Sequence, residues 1–327
     1  MNILVTGGAG YVGSVVVEKL LDNGQSVVVL DNLQQGHSQA LFSQAEFIHG
    51  DIRDKDTLAN LFHKNRFDAV MHIAAETLVE FSMTDPRRYF ESNVTASINL
   101  INAMLEHEVN RIVFSSSASV YGHPQTSPCH EQQPKVPANS YGESKLMFEH
   151  VLEWYGKAYE IRHISLRYFN AAGATTKLGE DHHPETHLIP NVLRVALGHH
   201  EYVNVFGSDY ETPDGSCIRD FVHVRDIANA HVLALTHLDN SVHSSAYNLG
   251  NSRGYSVTEV IEAARKLTGA HIRTKANPRR SGDPATLIAE SSLARHELDW
   301  KPEYSELDQI IESAWKWHLE HPNGYHS

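Results

Sequence analysis

The chain has 327 residues, which is enough for two lobes or one elaborated α/β domain around a large core. Its 27 basic and 40 acidic residues give a formal charge of −13, which argues against a general nucleic-acid binder and a binder of anionic membranes. The sequence has only two cysteines, and they lack the paired spacing of a disulfide framework or zinc site. It shows no signal-like segment at its start and no long apolar run. We therefore expect a soluble, cytoplasmic protein.

The first predicted elements are a strand over residues 2–6, a glycine turn and a helix from about residue 14. The glycines at 7, 10 and 13 would let the backbone approach a pyrophosphate, whose charge would then lie at the helix N-terminus. Their spacing differs from the standard Gly-x-Gly-x-x-Gly, so the surrounding elements must show whether this turn binds a dinucleotide. Strand, turn and helix in this order predict the first half of a dinucleotide-binding unit.

A second buried strand over residues 26–30 ends in Asp31. A carboxylate at this place would accept hydrogen bonds from the adenosine ribose hydroxyls and repel a 2′-phosphate. The prediction is therefore NAD rather than NADP. A glycine turn with an incidental aspartate is the alternative interpretation.

Further along the chain, apolar runs alternate with helical patterns, which is typical of parallel strands joined by helical crossovers. We predict strands at 46–49, 68–75, 111–114 and 164–167, helices at 54–64 and 86–107, a loop at 122–140 and a helix from about Tyr141. After residue 170 come a long polar loop to about residue 190, shorter elements and a loop over 207–219. This order predicts a Rossmann-type doubly wound parallel sheet over residues 1–170 and a smaller α/β substrate lobe over 171–327, with an interleaved boundary.

Tyr141 and Lys145 lie one helical turn apart, which makes their side chains neighbours on one face. A lysine charge that favours the phenolate could turn a tyrosine, whose pKa is ordinarily near 10, into a base at neutral pH. Beside a nicotinamide, such a base takes the hydroxyl proton while hydride leaves an alcohol carbon. An exposed helix start with a solvated lysine is the alternative.

The carboxyl ends of the predicted parallel strands should meet in one crevice, where ligands of open α/β sheets bind. This rule brings the glycine turn, Asp31, Asp51, Ala74 and the serines at 115–117 together. Ser117 would share a hydrogen bond with the sugar hydroxyl that Tyr141 deprotonates. The alternative is a serine-rich strand end that satisfies backbone groups.

Histidines and a glutamate cluster at His182, His183, Glu185 and His187, and imidazoles with carboxylates are plausible metal ligands. The stretch is polar, and no second cluster at helical or strand spacing completes a site. We therefore expect no metal, but solvated loop histidines, with His187 lining a pocket.

Several segments resemble the extended short-chain dehydrogenase/reductases, namely residues 6–13, 31–32, 50–53, 115–122 and 141–145. Later segments are similar to the UDP-glucose 4-epimerase family and are far more specific, namely residues 167–173, 179–190, 205–207, 214–220 and 279–283. Together they cover nearly the whole chain in collinear order. Residues 171–327 would accordingly bind a UDP-sugar.

The resemblance implies an enzyme that interconverts UDP-galactose and UDP-glucose with tightly held NAD. Tyr141 would take the 4-hydroxyl proton, with Ser117 beside it, and Lys145 would orient the nicotinamide ribose and lower the Tyr141 pKa. The resulting 4-keto sugar turns over and receives the hydride on its other face. The family further implies a homodimer formed through the two long helices after Pro86 and Tyr141.

The same resemblance carries over two sets of binding residues. For NAD these are Gly7, Gly10, Tyr11, Val12, Gly13, Asp31, Asn32, Asp51, Ile52, Ala74, Asn93, Ser115, Tyr141, Lys145 and Phe169. For the UDP-sugar they are Ser117, Tyr141, Asn170, His187, Leu188, Phe206, Arg219, Arg280, Asp283 and Leu287. Without the family, Arg219 and Arg280 would be read as surface ion pairs with Asp220 or Asp283.

The resemblance places Leu287 where a tyrosine in the family would exclude an N-acetyl group at the sugar 2-position, so we expect some activity on UDP-N-acetylhexosamines.

A 4,6-dehydratase is disfavoured, because Ser117, Ala118 and Ser119 stand where its Asp-Glu pair would be. A UDP-glucuronate 4-epimerase needs only one different contact and stays open. A non-catalytic NAD-sensing protein is less favoured, because Tyr141, Lys145 and Ser117 are all retained.

Overall fold

The computed structural model describes residues 1–240, 244–280 and 282–325. The strands are β1 Asn2–Thr6, β2 Ser26–Asp31, β3 Glu46–His49, β4 Ala69–His72, β5 Arg111–Ser117, β6 Arg162–Tyr168, β7 Asn170–Ala172, β8 Val203–Phe206, β9 Ile218–Arg219, β10 Phe221–His223, β11 Ser245–Leu249, β12 Tyr255–Ser256, β13 Thr274–Asn277 and β14 Thr286–Leu287. The α-helices are α1 Tyr11–Asp22, α2 Lys55–Lys64, α3 Val79–Ser82, α4 Pro86–Phe90, α5 Ala96–Glu106, α6 Ser140–Tyr159, α7 Leu188–Ala196, α8 Val224–Asn240, α9 Val257–Thr268, α10 Ser292–Glu297 and α11 Leu307–Glu320.

A seven-stranded parallel sheet in the order β11-β6-β5-β4-β1-β2-β3 forms the centre of the molecule. Successive side chains of a strand point to opposite faces, and here both faces are covered. Ile3 and Val5 join one core and Leu4 joins the other, all of them fully buried. The chain leaves β1 in one direction towards β2 and later returns beside it as β4, which opens a crevice at the carboxyl ends. The predicted doubly wound α/β class is confirmed.

The structure contains the predicted helices and defines where each of them begins and ends. The helix predicted for 86–107 consists of α4, a π-helical segment Glu91–Thr95 and α5, so one wide turn lies in the middle of the run. Helix α6 begins at Ser140, where the Asn139 side chain caps it by accepting a hydrogen bond from the Gly142 amide. The predicted fourth strand is shorter than expected, because its last residues form the turn that borders the crevice.

The second half of the chain builds its own core from α7, α9 and α11, with the short sheets β8/β13 and β12/β9/β14 beside it. Helix α8 and strand β11, however, return to the large sheet, where β11 pairs with β6. The division at residue 170 stays a prediction, and residues 224–249 belong spatially with the first lobe except for the three that lie outside the described ranges. Across those ranges, no helix is long and apolar enough to cross a membrane.

Candidate active site

A cavity of about 1250 Å³ opens at the carboxyl ends of the large sheet and continues between the two halves of the chain. All ten predicted substrate residues line it. Of the predicted cofactor residues it is lined by Gly7, Gly10, Tyr11, Val12, Gly13, Asp31, Asn32, Asp51, Ile52, Ala74, Tyr141 and Phe169. The structure therefore brings together residues that are up to 280 positions apart in the sequence.

The glycine turn after β1 has the close backbone approach that a pyrophosphate site needs. Gly7 has a φ of +74°, and a Cβ there would lie 2.5 Å from the Ala74 nitrogen. A Cβ on Gly13 would lie 1.9 Å from the Gly7 oxygen. Helix α1 follows with Gly10 as N-cap, no capping side chain and no acid in its first turn. Its N-terminus can therefore receive the negative charge of a dinucleotide.

Acidic side chains form the far end of this part of the cavity. Asp31 accepts hydrogen bonds from the amides of Ala9 at 3.0 Å and Leu33 at 2.8 Å, and burial raises its pKa against these bonds. Asn32 donates to Asp51 at 2.7 Å. Burial acts to raise the pKa of Asp51, but hydrogen bonds from Arg53 and Asn32 outweigh it and lower the pKa to about 2. Such a rim suits ribose hydroxyls better than a phosphate.

Tyr141 lies in the first turn of α6 and is only 8% exposed, so the interpretation as an exposed helix start is wrong. Burial raises the pKa of its phenol, and a side-chain hydrogen bond with Ser117 acts in the opposite direction. Ser117 ends β5, and its hydroxyl also accepts a hydrogen bond from the Ser119 amide at 3.1 Å. The hydroxyl of Ser117 and the phenol are thus neighbours at the cavity wall, as the sequence suggested.

Lys145 is 3% exposed and lies behind Tyr141 rather than at the cavity wall. Its Nζ donates to the carbonyl of Ser115 at 2.9 Å and lies 5.9 Å from the centroid of the Tyr141 ring. Burial lowers the pKa of Lys145 to about 7, although Glu149 opposes this shift. Burial dominates the pKa of the Tyr141 phenol, and the lowering of this pKa by Lys145 stays a prediction.

Two further predicted cofactor residues lie outside the cavity wall. The side chain of Asn93, in the π-helical segment, accepts a hydrogen bond from the Glu76 amide at 2.8 Å and donates to the Glu76 carbonyl at 2.9 Å. It also donates to the Ser144 hydroxyl at 3.0 Å. Ser115 shares a hydrogen bond of 2.9 Å with His231. These side chains hold the turn after β4 and the end of β5 in place. Their contact with NAD stays a prediction.

A buried ion pair fixes α6 against the sheet. Arg167 on β6 donates to Glu149 through Nε at 2.9 Å and Nη2 at 2.5 Å, and Ser116 donates to the same carboxylate at 2.5 Å. A bidentate pair of this kind has a fixed geometry. Because Glu149 lies one turn after Lys145, the pair sets the depth at which the phenol of α6 reaches the cavity.

On the substrate side, two arginines reach the cavity. The guanidinium of Arg280 lies 4.0 Å from the centroid of the Phe206 ring, and its buried Nε has no hydrogen-bond partner among the described residues. Arg219 bonds the carbonyls of Ile218 and Pro284, and its Nη2 lies 3.5 Å from Asp283. The ion-pair interpretation therefore applies in part to Arg219, but its side chain is only 12% exposed rather than at the surface. A guanidinium at the cavity wall with an N–H left to donate suits a diphosphate.

The expectation of solvated histidines, with His187 lining a pocket, agrees with two of the three residues. His183 is 62% exposed, and His187 lines the cavity with its side chain 39% exposed while it bonds Glu185 at 2.8 Å. The expectation is wrong for His182, whose side chain is only 15% exposed. The buried side chains of Glu180 and Glu185 complete the cluster, and the sequence interpretation named Glu185 but missed Glu180. The signal was the order acid, histidine, acid, histidine at positions 180, 182, 185 and 187.

Comparison with known proteins agrees with this geometry. The profile of the NAD dependent epimerase/dehydratase family matches residues 3–250. A UDP-glucose 4-epimerase of Halalkalibacterium halodurans is 53% identical over 99% of this chain and 98% of its own length. A crystal structure of a UDP-glucose 4-epimerase superposes with a TM-score of 0.97 at 48% identity over 100% of both chains. The UDP-glucose 4-epimerase of Bifidobacterium longum, solved with NAD⁺ and UDP, has a TM-score of 0.94 at 37% identity over 99% of this chain and 100% of that one. The chain belongs to the NAD dependent epimerase/dehydratase family.

Proposed function

We propose that this protein interconverts UDP-galactose and UDP-glucose at C4 with tightly bound NAD, as a UDP-glucose 4-epimerase. One observation carries the proposal: the Tyr141 phenol and the Ser117 hydroxyl line the same cavity as the glycine turn and the Arg280 guanidinium, whose Nε has no partner among the described residues. Acid–base, dinucleotide and diphosphate chemistry thus meet in one space. A non-catalytic sensor would not need the buried base.

The residues of the chain account for the proton part of the reaction. The glycine turn and Asp31 would hold NAD⁺, which supplies the hydride acceptor and a positive charge. Tyr141 takes the proton of the sugar 4-hydroxyl and later returns it, and Ser117 orients that hydroxyl. Since burial raises the phenol pKa, a nearby positive charge is needed before Tyr141 acts as a base at neutral pH.

The diphosphate is the group about which the sugar turns between the two hydride steps. Arg280 is stacked on Phe206 and offers an unpaired Nε, while Arg219 is held by two carbonyls and Asp283. These contacts would keep the UDP in place while the 4-keto sugar rotates. Both faces of the same carbon can then meet one nicotinamide.

The test is to incubate the purified protein, without added NAD, with UDP-galactose, UDP-N-acetylgalactosamine and UDP-glucuronate and to identify the products. We expect UDP-galactose to give an equilibrium mixture with UDP-glucose. Conversion of UDP-glucuronate without conversion of UDP-galactose would contradict the proposal and favour the alternative epimerase.

A second substrate class, the UDP-N-acetylhexosamines, is favoured by Leu287. This residue lines the cavity in β14, directly paired with Arg219 of β9. A leucine side chain is shorter than a tyrosine and leaves room beside the sugar. If the N-acetyl sugar is not turned over under conditions where UDP-galactose is converted, this extension is wrong.

We further propose a cytoplasmic homodimer formed through α5 and α6. Trp154 and Met147 lie two turns apart on α6 and are 68% and 39% exposed. Tyr155 bonds Asn102 of α5 at 2.7 Å, so the two helices present one continuous face. The unpaired cysteines agree with a reducing compartment.

Light scattering after gel filtration tests the dimer. We expect twice the chain mass for the wild type and a monomer for Trp154→Glu, because a charge would be buried in the interface. Leu319→Glu changes an exposed apolar residue on α11, outside the proposed face, and should remain a dimer. A monomeric wild type would contradict this arrangement.

A further inference from the structure

Four side chains with metal-ligating atoms converge at the cavity wall, and only His187 among them belongs to the predicted substrate residues. The Nδ1 of His187 lies 2.8 Å from Oε1 of Glu180 and 2.8 Å from Oε1 of Glu185. The Nδ1 of His182 lies 3.3 Å from Glu180 and 3.9 Å from Oε2 of Glu185. One ligand atom from each of the four residues falls within 4.8 Å of the other three.

Two atoms of this cluster are buried without a partner. The side chain of Glu185 is 1% exposed, and its Oε2 accepts no hydrogen bond from the described residues. The Nδ1 of His182, which faces it, makes no hydrogen bond of good geometry with the described residues, although it lies 3.3 Å from Oε1 of Glu180. A buried carboxylate oxygen without a donor is costly. A proton shared between His187 and the two carboxylates satisfies His187 but leaves Oε2 of Glu185 without a donor among the described residues.

The donor set selects the kind of ion. Two imidazole nitrogens and two carboxylate oxygens suit Zn²⁺, whereas Ca²⁺ and Mg²⁺ prefer oxygen ligands alone. Ligands at about 2.0–2.2 Å around a tetrahedral zinc ion are separated by roughly 3.3–3.5 Å. The distances of 2.8–3.9 Å in the cluster bracket that value. We propose that Glu180, His182, Glu185 and His187 form a four-ligand Zn²⁺ site.

Its place in the fold indicates a structural role. Four protein ligands leave no open position for water or substrate, which is typical of structural zinc. The His182 ring packs edge-on against Tyr11 of the glycine turn at 6.3 Å, and the Tyr11 hydroxyl donates to the Gly173 carbonyl at 2.6 Å. His187 is the N-cap of α7. The ion would thus tie the segment before α7 to the dinucleotide turn.

Zinc content of the tag-free, full-length protein tests the site. The protein is loaded with Zn²⁺, separated from free metal by gel filtration and analysed by mass spectrometry, and affinity is measured by competition with a chelator. We expect one zinc ion per chain in the wild type. Since loss of an outer-shell partner typically costs about 10–100-fold in affinity, His182→Gln should cost at least about 100-fold. His183→Gln, an exposed neighbour outside the cluster, is the matched control and should bind like the wild type.

Equal zinc in the wild type and His182→Gln, or no zinc in the wild type, would overturn the site and favour the shared proton. A second measurement remains decisive if the variant does not fold. Co²⁺ added to the metal-free wild type should give the intense visible bands of tetrahedral coordination. The weak spectrum of hydrated Co²⁺ alone would contradict the proposal. Both measurements are independent of turnover, so the failure of this site would leave the proposed reaction untouched.

Discussion

The Nζ of Lys145 donates to the carbonyl of Ser115 at 2.9 Å, which ties the helix that carries Tyr141 to the strand that ends in Ser117. Only Ser116 separates the anchored residue, Ser115, from Ser117 at the cavity wall. The lysine therefore fixes the phenol and the hydroxyl relative to each other. This positioning role is present in the protein whatever charge the lysine carries.

The first prediction concerns the proposed base. Tyr141→Phe removes only the hydroxyl, so the ring should still pack while turnover of UDP-galactose falls about 10²–10⁴-fold, the typical contribution of general acid–base catalysis. NAD should remain bound, measured by its release on denaturation. Tyr159→Phe, at the exposed end of the same helix, is the control and should leave turnover unchanged. Wild-type turnover in Tyr141→Phe would remove the proton mechanism.

The second prediction uses two adjacent arginines. Arg280 lines the cavity, and its Nε has no partner in the described part of the chain, whereas Arg279 bonds Asp209 at 2.7 Å outside the cavity. A hydrogen bond to a charged group contributes about 1.5–3 kcal/mol, so Arg280→Leu should raise the KM for UDP-galactose by roughly 10- to 150-fold. Arg279→Leu should change KM by much less. Similar KM values for the two variants would argue against diphosphate binding by Arg280.

The third prediction concerns sugar preference. In Leu287→Tyr the longer side chain would fill space beside the sugar, so the ratio of kcat/KM for UDP-N-acetylgalactosamine to that for UDP-galactose should fall about tenfold or more. Measuring both substrates on the same preparation separates this effect from a general loss of activity. An unchanged ratio would show that Leu287 does not set the room at the sugar 2-position.

Local patterns were sufficient for most of the fold. The buried run of β1, the glycine turn and Asp31 each follow from the residues at one place, and the carboxyl-end rule then gathers them in a crevice. The return of α8 and β11 to the large sheet was harder to foresee, because it depends on the pairing of β11 with β6 and on the packing of α8 against the core of that sheet.

The features of the site that could not be predicted depend on contacts between residues far apart in the sequence. Nothing near Asn93 indicates that its amide bonds Ser144, which lies 51 residues later. The burial that raises the Tyr141 pKa likewise comes from packing rather than from the spacing to Lys145. The four-residue cluster was visible in outline, but a polar stretch gives no local sign that Glu180 and Glu185 are buried.

The last prediction concerns acid stability and rests on His72, a buried residue at the end of β4. Both ring nitrogens are engaged at 2.8 Å, Nδ1 with Thr6 and Nε2 with Ser97, and Phe114 packs on the ring. Burial, with a smaller effect of the Lys145 charge, lowers the pKa of His72 from 6.5 to about 3. In the unfolded chain the imidazole has its ordinary pKa of about 6.5.

Between pH 6.5 and about 3, His72 is therefore protonated in the unfolded chain but not in the folded protein. The stabilisation is fully present above pH 6.5 and is lost as the pH falls, at about 1.4 kcal/mol per pH unit for this one histidine. Urea unfolding from pH 7 to pH 4 should show His72→Gln with a slope shallower than the wild type by that amount. His63→Gln, an exposed position on α2, controls for the loss of a histidine as such and should keep the wild-type slope. Parallel curves for His72→Gln and the wild type would mean that His72 does not drive the acid sensitivity.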